Sequence, residues 1–390
     1  MRVSVPSPRC CSLVATLFAA GPLGCRADDD PAERVPPTPT SDSAGTPSIW
    51  QPLAEPPAGF PAIEVSGTWR HPLLLSLFER EGVSFAALLD EEARVVWARS
   101  PLEPEGRMLR VRSIDDGVIW AEGHRFREVE FGTIGRQTWD EPEPELTRAP
   151  YVHHDLIERD GGYLYLGHAF TEIEALGTLP EAVVAQDVLA WVPRGATADD
   201  EVQTRFRVDD HLELSAPCGH VAFDVWTPDA WDWTHTNSLV EDGDDLWLMV
   251  RYHDTMWRLD ADYQLVERVG GVDGDPLAPG ERPFTHSHIS QVHDGKLVVL
   301  DNRNHDGPSR AMALARGPDG WSTAWEIPHD STVIALGDTQ ELDDGSVVVA
   351  WGTEGRVDAF DADRNWEGSL AFPGFTVGRV EIVDLPSWAR

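Results

Sequence analysis

The segment Asp232–Asp260, DWTHTNSLVEDGDDLWLMVRYHDTMWRLD, reads as a chain folded back on itself. A run ending at Val240 meets an Asp242-Gly243 turn, the apolar run Leu246 to Val250 follows, and a second turn leads into MWRLD. Asp-Gly between hydrophobic runs is a strong hairpin signal, because both residues tolerate the positive φ that tight turns require. The same unit recurs: Asp-Gly turns ahead of short apolar strands stand at Asp116-Gly117, Asp160-Gly161, Asp294-Gly295 and Asp344-Gly345, and an earlier strand pair spans 83–99. From Asp116 onwards the turns are 44, 82, 52 and 50 residues apart. A period near 50 with about four short strands per unit is the signature of a propeller blade. The reading is therefore all-β, a six-bladed β-propeller over residues 63–390, with the final run RVEIVDL (379–385) closing the ring on an early blade. The long interval is read as holding an insertion over about 172–222, and only EALGTLPEAVVAQDVLAWV (174–192) hints at a helix, broken by Pro180. A β-sandwich would need two modules and would leave the repeat unexplained.

The chain ahead of residue 63 has another character. Arg2 and Arg9 precede the small, apolar run of residues 10–24, so residues 1–24 read as a secretory signal peptide too short to span a bilayer. Pro22, Leu23 and Gly24 ahead of Cys25 loosely resemble a bacterial lipobox, which makes Cys25 the expected lipidation site and the protein an exported one, a cell-envelope lipoprotein or a periplasmic or secreted protein. Residues 25–62, rich in Pro, Ser, Thr and Asp, read as a disordered tether. Once Cys10 and Cys11 leave with the signal and Cys25 is acylated, Cys218 has no partner, and the fold must rest on its core.

The formal charge is −36, from 67 acidic and 31 basic residues. That excludes a default expectation of nucleic-acid binding and makes anionic lipid surfaces unattractive, so membrane association is expected only through the anchor at Cys25. Acidic residues sit largely in turns, and Lys296 is the one lysine among the basic residues.

In a propeller, residues at inner-strand ends point into the mouth of the central channel, and residues far apart in sequence converge there. Four segments fit: His153-His154-Asp155, His235 with Asn237, Arg251 with His253, and His286-Ser287-His288. Two residues apart on an extended strand, His235 and Asn237 would leave by one face, and the turn would return Arg251 towards His235. A proton carrier, an amide and a fixed cation suit an oxyanion with several acceptor oxygens, since arginine offers its donors as a planar fork and histidine carries a proton or attacks as a nucleophile.

The segments HHDLIERDGGYLYLG, DWTHTNSLVEDGDDLWLMVRYHDTMWRLD and THSHISQVHDGKLVVLDN, in this order, resemble the bacterial arylsulfate sulfotransferase family over roughly residues 80 to 360. The resemblance implies an exported six-bladed propeller that moves a sulfuryl group from a phenolic sulfate ester to a phenol, without cofactor, through a sulfohistidine. By motif, His153 or His154, His235, Asn237 and Arg251 match the sulfate-binding positions. The chain departs from the family at the nucleophile: the spacing puts Ser287 at that place, flanked by His286 and His288, so the nucleophile is expected at His288 or else His286. The amino-terminal β-domain of some family members is replaced by the tether.

Two other readings stand beside this one. A metal-dependent hydrolase or lyase would use His153, His154, His235 and His288 as ligands, although Arg251 disfavours a bound cation. A surface propeller without catalytic power would bind a ligand or a protein. Asp155 is expected to fix a histidine or cap a turn, His168, His253 and His305 to be surface or supporting groups, and Trp226, Trp231 and Trp233 to serve mainly as packing.

Overall fold

In the computed structural model the described residues are 53–389, apart from 54, 80–82, 103–105, 125–131, 142, 174–181, 214–229, 272–273 and 305. The signal segment, Cys25, Cys218, Trp226 and His305 lie outside them. Among the described residues the regular structure is β-strand with a few single-turn 3-10 helices, and no helix is long and apolar enough to cross a membrane.

The strands form six sheets, the blades of a β-propeller. The second to fifth blades each begin with an inner strand, at Gly106–Ile114, His153–Arg159, Thr236–Asp242 and His288–His293, and add strands outwards in chain order. The ring closes twice. The C-terminal strand Thr376–Ile382 pairs with Leu73–Phe78 as the innermost strand of the first blade. Glu64–Gly67 pairs with Trp366–Ala371 at the outer edge of the sixth blade, whose inner strand is Asp338–Glu341. The first and last strands of the described residues are thus sewn into neighbouring blades, where they cover the edges of Trp366–Ala371 and Leu73–Phe78.

Strand periodicity places the core. In the fourth blade Leu246, Leu248 and Val250 pack towards the third blade, while Trp247 and Met249 between them pack towards the fifth. Alternate residues leave by opposite faces, so one all-apolar strand serves two interfaces. The same division holds around the ring, where six clusters of buried side chains fill the gaps between adjacent blades.

Three expectations need correction. The presumed insertion over 172–222 holds blade strands: Ala182–Pro193 pairs with Gly162–Ile173 over twelve residue pairs, and Gln203–Arg207 forms the outer edge. The helix expected over 174–192 is, from Ala182 onwards, one of these strands. Its β-branched residues Val183, Val184 and Val188 suit a strand flanked on both sides. The packed body also starts earlier than residue 63, since Phe60 meets the ring of Phe85 at 5.1 Å.

The axis is closed by charge. Asp155 contacts Arg110 at 3.2 Å, Arg112 at 2.9 Å and Arg379 at 3.5 Å, and Asp338 contacts Arg110 and Arg379 at 3.2 Å each. Arg112 also donates to the Leu239 carbonyl, and Arg379 to that of Ile289. Every inner strand therefore takes part. Asp155 pins this network and contacts no histidine in it. Burial alone would raise its carboxyl, but Arg112, Arg110 and Arg379 outweigh burial and hold it at about 2. Of the three guanidinium groups Arg110 and Arg379 are buried, whereas the half-buried Arg112 is also faced by Glu381 and Glu241.

Candidate functional site: a histidine cluster at the channel mouth

At the end of the channel where the third, fourth and fifth inner strands begin, the backbone kinks. His154, His235 and His286 have φ of 50°, 48° and 54°, in the left-handed region that residues other than glycine rarely enter. Leu336 has φ of 63° just ahead of the sixth inner strand, so the kink belongs to the fold. What sets this mouth apart is an imidazole on three of the kinks.

The kinks overturn the alternation argument. His235 precedes its strand rather than lying in it, so it does not share a face with Asn237. Asn237 is buried, donating to the Ser287 carbonyl at 3.0 Å while its oxygen accepts from Ser238. One amide N–H of Asn237 thereby fixes the backbone between His286 and His288. His286 likewise lies outside the strand that His288 opens, its N–H held by the Asp254 carboxylate at 2.7 Å.

The other expected residues do converge. The His154 and His235 rings lie 4.7 Å apart, the Tyr252 ring is 4.8 Å from His235, and His286 is 5.7 Å from Tyr252. The hairpin returns Arg251 as foreseen, its N–H bonded to the His235 carbonyl at 3.3 Å. His288 lies within electrostatic reach of Arg251, Arg379 and His235. His154 and His235 are half-buried, whereas Arg251, His286 and His288 are buried.

Hydrogen bonding decides the chemistry of each ring. The amide nitrogen of Asn302 donates to the carbonyls of Val333 and Leu336, so its oxygen must be an acceptor, and it lies 2.8 Å from Nδ1 of His288. Nδ1 then carries the proton and Nε2 the lone pair. Burial first, then Arg379 and Arg251, push the His288 pKa well below its usual value, which keeps the ring neutral at physiological pH. Nδ1 of His235 is bonded to the Asp232 carboxylate, which likewise leaves Nε2 free to take a proton.

Beside this cluster lies a second group absent from the sequence reading. His168, expected as a surface or supporting group, is buried, its ring stacked on His153 at 4.0 Å, and both rings face Asp187. The metal set foreseen from His153, His154, His235 and His288 does not form. The group of three ligand-type residues with donor atoms within 4.8 Å of one another, among the described residues, is His153, His168 and Asp187. Sequence reasoning missed Asp187 because it falls in the presumed insertion, and missed Asp232 because a lone acid next to Trp233 carries no signal of its own. Trp233 is packing, buried with its ring 5.8 Å from His253. A cavity of about 680 Å³ opens at the other end of the channel, beside Arg112, Glu241, His293, Glu341 and Glu381, and is not lined by the clustered histidines.

No protein-family model matches the chain, and no curated protein is similar to it in sequence. Solved structures share the propeller fold at low similarity. A Bacteroides caccae protein of unknown function aligns with TM-score 0.43 and 10% identity over 80% of this chain and 98% of its own. Apo AztD from Citrobacter koseri gives 0.38 and 9% over 81% and 98%, and a catalytically inactive virginiamycin B lyase from Staphylococcus aureus 0.39 and 8% over 79% and 88%.

Proposed function

We propose that the protein transfers a sulfuryl group between phenols, with His288 as the nucleophile. The observation that carries this is the Asn302–His288 pair, a buried imidazole held neutral with its Nε2 lone pair free, within the field of Arg379 and Arg251. A neutral nitrogen nucleophile in an electropositive site suits an electrophile that arrives as an anion and gains no extra charge on attack.

In the first step Nε2 of His288 attacks sulfur, the S–N bond forms, the S–O bond to the aryl group breaks, and a phenolate leaves. Phenols, with pKa near 10, are good enough leaving groups to need little protonation. In the second step the acceptor phenol gives its proton to Nε2 of His235, and its oxygen attacks sulfur. The S–N bond breaks and His288 returns neutral. Arg251 and His154 hold the sulfuryl oxygens, and Asn237 and His286 shape the strand entry.

The test is steady-state kinetics with a chromogenic aryl sulfate and varied phenol. Parallel double-reciprocal lines are expected, with activity in His288→Ala down by at least about 10³-fold and His286→Ala within about tenfold of wild type. Equal losses in both variants would reject the assignment of His288. No turnover by folded wild-type protein with a panel of aryl sulfates would favour a binding propeller.

A further inference from the structure

The third blade brings one residue from each of three adjacent strands to a single buried point. His168 and Asp187 face each other as direct partners across the pair Gly162–Ile173 and Ala182–Pro193, and His153 opens the strand on the other side of Gly162–Ile173. Oδ1 of Asp187 lies 3.1 Å from Nε2 of His153 and 3.2 Å from Nδ1 of His168. Neither contact is an aligned hydrogen bond, and Asp187 Oδ1, His153 Nε2 and both nitrogens of His168 are buried without a hydrogen-bond partner. Three of these atoms meet one another at ion-pair distance, and Nε2 of His168 is left buried with no partner, where buried polar atoms are nearly always satisfied.

The two separations from Oδ1 of Asp187 are close to those of ligands, and all three donor atoms lie within 4.8 Å of one another. Donor atoms held tetrahedrally at about 2.0–2.1 Å from one ion lie about 3.3 Å apart. The other oxygen of Asp187 is anchored by the Thr234 hydroxyl and the Thr236 N–H, the kind of support that orients a ligating carboxylate. We propose that His153, His168 and Asp187 bind a divalent first-row transition ion of the zinc class. Two imidazoles and one carboxylate suit such an ion and not magnesium or calcium, which favour all-oxygen sets.

The ion has a consequence for the neighbouring cluster. Nδ1 of His153 lies 2.9 Å from Nδ1 of His154. With Nε2 of His153 on the metal, its Nδ1 must carry the proton and donate to His154, whose own proton is then on Nε2. The metal thus acts as a positioning device that turns His154 into a donor towards an anion.

The test uses the untagged chain, stripped with chelator and titrated with Co²⁺ and then Zn²⁺, with metal content read by elemental analysis. One equivalent of Co²⁺ is expected, with visible absorption bands that Zn²⁺ abolishes and a thermal midpoint raised by either ion. His168→Ala and Asp187→Asn are expected to weaken Co²⁺ binding by about 100-fold or more. Absence of uptake by the wild type, or unchanged uptake in His168→Ala, would overturn the proposal. Should the variants fail to fold, X-ray absorption at the zinc edge of the wild-type protein decides the matter. Two imidazole ligands and no sulfur are expected, and sulfur ligation or any other imidazole number rejects the site. Neither readout depends on sulfuryl transfer, so the metal site and the proposed activity fail separately.

Discussion

At the scale of single residues, the chemistry of the cluster depends on which nitrogen of a ring holds the proton. Asn302 fixes that for His288 through one hydrogen bond, because its amide nitrogen is committed to two carbonyls and cannot swap ends with its oxygen. Replacing Asn302 by Leu frees the tautomer and should lower kcat by about 10²-fold with little change in KM for the donor. A change confined to KM would make Asn302 a binding residue instead. Since the His288 pKa lies well below its usual value, the first half-reaction should keep a constant rate as pH falls from 9 to 6 and decline only at more acid pH. A midpoint at the ordinary histidine value would contradict this. Much of this scale was legible in the sequence. His153, His154, His235, Arg251 and His288 were marked by position at strand starts and ends, because a hairpin reliably returns its ends together. The shared face of His235 and Asn237 was misread, since a strand alternates its side chains only where φ stays extended, and the left-handed kink at His235 breaks the count.

At the scale of elements, the turn Arg251–His253 and its cap Asp254 hold the mouth together. The Asp254 carboxyl is pushed up to about 6, chiefly by burial and further by Asp301 and Asp306, against the His286 N–H and Arg251. A carboxyl raised in the folded state favours folding while protonated, so this contribution is complete below about pH 4 and lost as pH rises through 6. Relative to Asp254→Asn, wild type should therefore lose up to about 3 kcal/mol of stability between pH 4 and pH 7, as read by urea unfolding. A constant difference across that range would show that Asp254 does not titrate there. The long hairpin of the third blade was the element least legible in the sequence. Its strands run twelve residues, more than twice the usual length, and stretched the repeat until two blade strands looked like an insertion. The metal-type group was lost with them, because His168 and Asp187 are joined only by register.

For the whole molecule, the Asp-Gly spacing gave the blade count because each turn opens the same strand, whereas the closing network at the axis left no trace in the repeat. Asp155, Asp338, Arg110, Arg112 and Arg379 come from four different inner strands. Nothing in their local sequence pairs them. Replacing Asp155 by Asn leaves the buried Arg110 and Arg379 sharing the Asp338 carboxylate alone, and should cost about 3–5 kcal/mol, read as a fall in the urea midpoint without loss of the folded baseline. A change under about 1 kcal/mol would mean that solvent reaches the axis. Arg379 of this network also acts on His288, so the contacts that join the six inner strands reach the histidine cluster.

The account is tested most directly by rapid quench of the purified protein with a chromogenic aryl sulfate, in the absence of acceptor, followed by peptide mass analysis. It predicts a burst of phenol equal to the protein concentration and the added mass of one SO₃ group on His288. A burst with the adduct on His286 or on another residue, or turnover with no covalent adduct under conditions that preserve sulfohistidine, would contradict it.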